Sequence, residues 1–174
     1  SRLGPDPTEF ARNDSVDGVV MLHAWPSPSA VDRAAAIGAA WLRRGGTLVL
    51  AELDMARLRN ATPSRYPAAL LYTMYPEIAA SLSVRSATSL QLAMAAVRAG
   101  LRDKTVMEID RPVGVFRGPD EHRAGIEFGC WRGLEMLDAA RYGPVVDAAA
   151  TVGVGEWPLV ELEPWIAVIG SARH

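Results

Sequence analysis

The chain has 174 residues, of which 49% are hydrophobic, enough for one compact domain with a real core. Its 18 Lys and Arg against 20 Asp and Glu are spread along the sequence, so no positive stripe forms for a phosphate backbone and nucleic acid is not an expected partner. A single cysteine, Cys130, excludes an internal disulfide framework and a Cys-based zinc cluster, and no apolar run nears the roughly 20 residues that span a bilayer; no membrane partner is expected, and a reducing cytoplasm fits best.

Residues 1–16 are polar and turn-rich. The composition then changes to the apolar run 17–25, which reads as a strand buried on both faces of a parallel sheet. Pro26 and Pro28 stop it, and Ser29 is placed to cap an alanine-rich helix from about Ala30 to Arg43, with Arg43 and Arg44 at its negative end. Gly45-Gly46 is expected to end that helix in left-handed geometry, before a second buried strand over 47–53. Strand, helix and strand with tight turns make a crossover unit whose strands are parallel.

From Asp54 to Ser89, Pro63, Pro67 and Pro76 break a locally aromatic stretch into short helices. Thr88 or Ser89 caps a helix through Ala99, ended by Gly100. A third strand over 104–110 alternates Val106, Glu108 and Asp110 against Met107 and Ile109, as at a sheet margin. Residues 119–150 read as mostly helical, including 132–142, with a break at Gly143-Pro144. The last strand covers 159–169, with Pro164 demanding a bulge or an edge.

The segment Asp17 to Ala24, followed by Leu42-Arg43-Arg44-Gly45-Gly46 and Thr47 to Leu50, resembles the middle of class I S-adenosylmethionine-dependent methyltransferases. There an acidic residue opens the fourth strand, and a helix ending in Leu-x-x-Gly-Gly leads into the fifth. The resemblance extends over about residues 14–170. It implies an α/β fold: a partial Rossmann-like methyltransferase sheet with helices on both faces and a helical insert, read as a single domain over 1–174. The family's glycine-rich turn after the first strand, and the acid that holds the cofactor ribose, have no counterpart in these residues. Together with a start at Ser1, this reads as the C-terminal half of such a domain. In the family the fourth strand lies beside the first, so Val19 to Leu22 is expected as an open apolar edge, to be covered by a separate N-terminal half or by a second copy in a homo-oligomer.

The resemblance also implies S-adenosylmethionine as cofactor and a small-molecule methyl acceptor, aromatic or apolar in character. His23, Ala24 and Trp25 end the fourth strand and would line the cofactor cleft, with His23 as the catalytic base and Trp25 as a cover. A histidine packed in the cleft wall and a tryptophan in the core are the structural alternatives. Asp6 and Asp14 fall where the family often places a carboxylate near the adenine; solvated loop acids are the alternative. Glu52 and Asp54 end the fifth strand toward the acceptor, unless one of them caps the next helix. Tyr72, Tyr75 and Trp131, with Tyr66, Met74, Phe128 and Met136, would form an acceptor lid or plain core. His122, among Asp120, Glu121 and Arg123, reads as part of a charged surface helix start. Two other functions compete with the enzyme: a catalytically inactive methyltransferase-like binding or assembly module, and an unrelated nucleotide-dependent reductase whose fingerprint glycines are equally absent.

Overall fold

A computed structural model describes residues 15–129, 131–152 and 157–172. Asp6 and Asp14 lie outside the described residues. The elements are β1 (Val16–Leu22), α1 (Val31–Trp41) after a 3-10 turn at Pro28–Ala30, β2 (Leu42–Leu53), α2 (Met55–Arg59), α3 (Ala69–Met74), α4 (Pro76–Arg85), α5 (Ser89–Arg98), β3 (Arg102–Phe116), α6 (Pro119–Glu127), a 3-10 turn at Leu134–Met136, α7 (Ala139–Ala149) and β4 (Leu159–Ser171). The four strands form one open sheet in the order β1-β2-β4-β3. No described helix is long and apolar enough to cross a membrane.

The chain gathers into two compact units. The first comprises residues up to Leu53, Arg85–Glu108 and the residues from Ile166; the second comprises Asp54–Val84 and Ile109–Trp165.

In the first unit β1 and β2 pair in parallel, from Gly18 opposite Thr47 to Leu22 opposite Ala51. Before that point the register shifts, because Val16 lies opposite Leu42. The two glycines serve this bulge and not a helix end. α1 stops at Trp41, Leu42 is already extended, and Gly45 takes the left-handed φ of +75° inside β2. A Cβ at Gly46 would lie 2.9 Å from the Arg43 carbonyl oxygen and 3.1 Å from that of Asp17. Arg43 therefore leaves the helix end expected for it and pairs with Asp17 across the bulge. α1 packs on both strands and on α5. Gly38 permits the approach: a Cβ there would stand 2.8 Å from Leu48 Cδ1 and 3.0 Å from Met21 Cε. Trp25, Val31, Ala35, Leu48, Leu92 and Val168 are among the residues of the core beneath. α5 begins with a full capping box, Thr88 and Gln91 bonding each other's backbone N–H groups, and Gly100 follows it at φ +79°.

β1 and β3 are the sheet's edge strands. Val20 and Leu22 on β1 are 64% and 55% exposed. β3 is longer than its apolar centre implied and is exposed over most of its length. β4 lies between β2 and β3, so Pro164 is not on an edge strand. Its carbonyl accepts the Asp54 N–H at 2.8 Å, just past the last residue of β2.

In the second unit α3 and α6 both pack on α7. Two sequence expectations fail here. Residues 131–138 are turns rather than helix, and α7 runs through Pro144 without a break. Burial of Val145, Val146 and Ala149 holds α7 in place despite the hydrogen bond that proline removes.

Candidate functional site

β1 ends at Leu22, and the next residue, His23, turns out of the strand with φ +47°, a conformation that L side chains adopt at some cost. Its backbone N–H still donates to the Ala51 carbonyl at 2.9 Å, so the parallel register carries His23 alongside Glu52. Glu52, near the end of β2, is fully buried. Its Oε1 is hydrogen-bonded to His23 Nδ1 and accepts the Leu53 N–H at 3.0 Å. Its Oε2 accepts the Trp25 indole N–H at 2.8 Å and the Ala87 N–H at 3.4 Å. Four donor groups thus fix one carboxyl group at the carboxyl end of the parallel pair, where open α/β sheets place their ligands. The His23 side chain is 36% exposed, and its Nε2 has no hydrogen-bond partner among the described residues.

The structure brings His23, Trp25 and Glu52 together and gives each a distinct place. Glu52 does not face outward toward a ligand; it is an enclosed support for the imidazole. Trp25 is buried in the core, its indole committed to Glu52. Ala24 is exposed. Asp54 is the helix cap: its side chain accepts the Arg57 N–H at 3.0 Å and starts α2. The register Leu22 opposite Ala51 was the signal that would have paired His23 with Glu52, since an acid inside the run Thr47 to Leu53 must find donors once buried.

The residues expected as an acceptor lid are mostly internal struts of the second unit. Tyr72 is buried, and its hydroxyl donates to the Arg132 carbonyl at 2.9 Å; burial pushes its phenol well above the ordinary range, so it stays neutral. Tyr75 donates to the Arg141 carbonyl at 3.3 Å. Trp131 is buried and donates its indole N–H to Glu161. Phe128, by contrast, is 98% exposed.

His122 corrects the sequence reading most sharply. It is fully buried on the inner face of α6, one turn from buried Ile126, and its Nε2 lies 3.1 Å from Glu161 Oε2. Phe116, Trp131 and Trp157 surround the ring at centroid distances of 4.9, 6.1 and 6.2 Å. Its Nδ1 is buried with no partner among the described residues. Sequence reasoning also missed the cluster of Arg57, Arg65 and Tyr66 on Asp110, which joins residues far apart in the chain.

No protein-family model matches the sequence, and no curated protein matches it. Solved structures do. A protein assigned as a methyltransferase of an antibiotic biosynthesis pathway in Anabaena variabilis superposes with a TM-score of 0.58 at 15% identity, over 92% of this chain and 68% of that one. The chain has the fold of class I methyltransferases. Weaker superpositions include Haemonchus contortus phosphoethanolamine N-methyltransferase 2 in complex with S-adenosylhomocysteine, with a TM-score of 0.47, 13% identity, and 94% of this chain over 35% of that one. This chain therefore spans about a third of that first enzyme and about two thirds of the Anabaena methyltransferase-fold protein.

Proposed function

We propose that the chain is the C-terminal portion of an S-adenosylmethionine-dependent methyltransferase acting on a small acceptor, with His23 as the base. The observation that carries this reading is the half-exposed imidazole at the carboxyl end of β1, held by a buried carboxyl group in a fold used by methyltransferases. S-adenosylmethionine, when bound, supplies the methyl group. The described residues fit such a cofactor along one wall: exposed Ala24 leaves room beside the His23 ring, whereas no described glycine at positive φ links a strand end to an α-helix start.

The hydrogen bond to Glu52 orients the ring through Nδ1 and leaves Nε2 as the nitrogen that accepts a proton. As the acceptor's oxygen or nitrogen gains the methyl group, its proton passes to Nε2, and the adjacent carboxyl group stabilises the imidazolium. A positioned base of this kind contributes about 10²- to 10⁴-fold to rate. The acceptor in this reading is a small molecule of aromatic or apolar character. The apolar edge of β1 is read as paired in the working assembly, by a separate N-terminal half or a second copy, in the cytoplasm.

Calorimetric titration of the protein with S-adenosylhomocysteine tests the reading without knowledge of the acceptor. Saturable one-to-one binding is expected if the chain or its oligomer completes the site, with His23→Gln binding nearly as well. No binding by a folded sample would overturn catalysis by this chain and favour the inactive binding or assembly module.

A further inference from the structure

We propose that the second unit carries a surface site for a small oxyanion, a carboxylate or phosphate group, built from Arg111, Arg132, Glu163 and Trp165. Glu163 and Trp165 are alternate residues of β4 and share one face of it. Both are buried. Glu163 Oε2 accepts the Trp165 indole N–H and Arg111 Nη2, each at 2.8 Å, and its Oε1 faces Arg132 Nε at 3.8 Å. Arg111 comes from β3, the strand beside β4, and Arg132 from the turns that follow α6. Both guanidinium groups lie over the Trp165 ring, their carbons 5.1 and 5.4 Å from its centroid.

Two cations thus share one carboxyl group, and one positive charge has no counter-charge in contact among the described residues. Glu135 also acts on the Tyr72 hydroxyl, as Glu163 and Arg132 do, but it forms no described ion pair with either arginine; its Oε2 accepts the Gly133 N–H at 2.9 Å. Arg132 is held at both ends. The Tyr72 hydroxyl donates to its carbonyl at 2.9 Å, and the indole ring supports its guanidinium group. Its Nη groups meet no hydrogen-bond partner among the described residues, and its side chain remains 34% exposed. The Arg111 side chain is 48% exposed and commits one Nη to Glu163. Planar forks with donors unspent match the paired oxygens of a carboxylate or phosphate. Because the ring and Glu163 already restrict both side chains, an anion that binds them meets a smaller entropy cost than at a freely moving surface arginine. The inference goes beyond methyl transfer, since these residues act by charge and shape alone and none belongs to the His23 site.

The test is an NMR titration of the intact chain that follows the arginine Nε–H resonances against inorganic phosphate, acetate and, at matched ionic strength, chloride. Saturable shifts of the Arg111 and Arg132 resonances are expected with phosphate or acetate, and the tighter of the two identifies the group recognised. Chloride should give none over the same range. Arg132→Gln should weaken the anion about tenfold, and Arg111→Gln, at the more exposed position, about threefold, with thermal melts close to wild type. Arg98→Gln, which breaks an exposed ion pair in the first unit, should leave the affinity unchanged. Arginine resonances that ignore both anions, an equal response to chloride, or Arg111→Gln and Arg132→Gln variants with wild-type affinity would overturn the site and leave the four side chains as a structural network.

Discussion

Each unit holds one glutamate that joins an imidazole to an indole. In the first unit Glu52 holds His23 and Trp25; in the second Glu161 holds His122 and Trp131. The carboxyl groups and the tryptophans are buried in both. The histidines differ. His23 sits past a strand end with its ring partly in solvent, whereas His122 lies inside α6's packed face, ringed by aromatics, with a buried Nδ1 that meets no described partner. The same three side chains therefore make a presented imidazole in one place and an interior brace in the other. Chemistry follows from exposure and from what the second ring nitrogen meets, not from residue identity.

The comparison breaks first at the two glutamates. Glu52→Ala would strand the His23 ring, the Trp25 indole and two backbone N–H groups, and should cost about 3–5 kcal/mol in denaturant unfolding. Glu161→Ala should cost as much; a loss under about 1 kcal/mol there would end the parallel. The histidines should separate next. His122→Ala removes a fully buried ring and should cost about 3 kcal/mol, while His23→Ala should cost about 1 kcal/mol. Diethylpyrocarbonate should accordingly label His23 in the folded protein and spare His122, which peptide mass mapping would show.

Asp110 gives a smaller, pH-dependent effect of about 1 kcal/mol. The Tyr66 hydroxyl, with Arg57 and Arg65, holds its carboxyl below the ordinary value of 3.8. A depressed carboxyl group stabilises the fold above that ordinary value, and the stabilisation is lost as pH falls through the lowered one. Thermal melts of wild type and Asp110→Asn should therefore differ by a constant margin at neutral pH and converge only in strong acid. Smallest is Arg98→Ala, which breaks the exposed 2.5 Å pair with Asp32 and should shift stability by no more than about 0.5 kcal/mol.

The sequence foretold what depends on local pattern. β1, α1, α5 and the parallel pairing follow from apolar runs, caps and tight turns, and they are where the structure puts them within a few residues. Gly45 was legible as left-handed but the Gly45-Gly46 pair not as a bulge, because only the pairing of Val16 with Leu42 shows that β2 has begun before the glycines. His122 was hidden by its neighbours: Asp120, Glu121 and Arg123 are charged, and the spacing to Ile126 was the sole hint of an inner face. Of the site, His23 was readable from its position, whereas the enclosure of Glu52 required Ala87, which arrives from a distant segment. The Asp110 cluster joins residues 57, 65, 66 and 110, and no short-range signal connects them.

The backbone at residue 23 sets two kinds of selection against each other. Glycine occupies φ +47° without penalty and asparagine with little, while histidine bears a cost of roughly 1–2 kcal/mol in that geometry. A library randomised at this one codon and sorted for thermal tolerance should enrich glycine and asparagine. On the proposed reading of His23 as the base, the same library sorted for turnover should return histidine. The residue recovered would report which pressure the experimenter had applied.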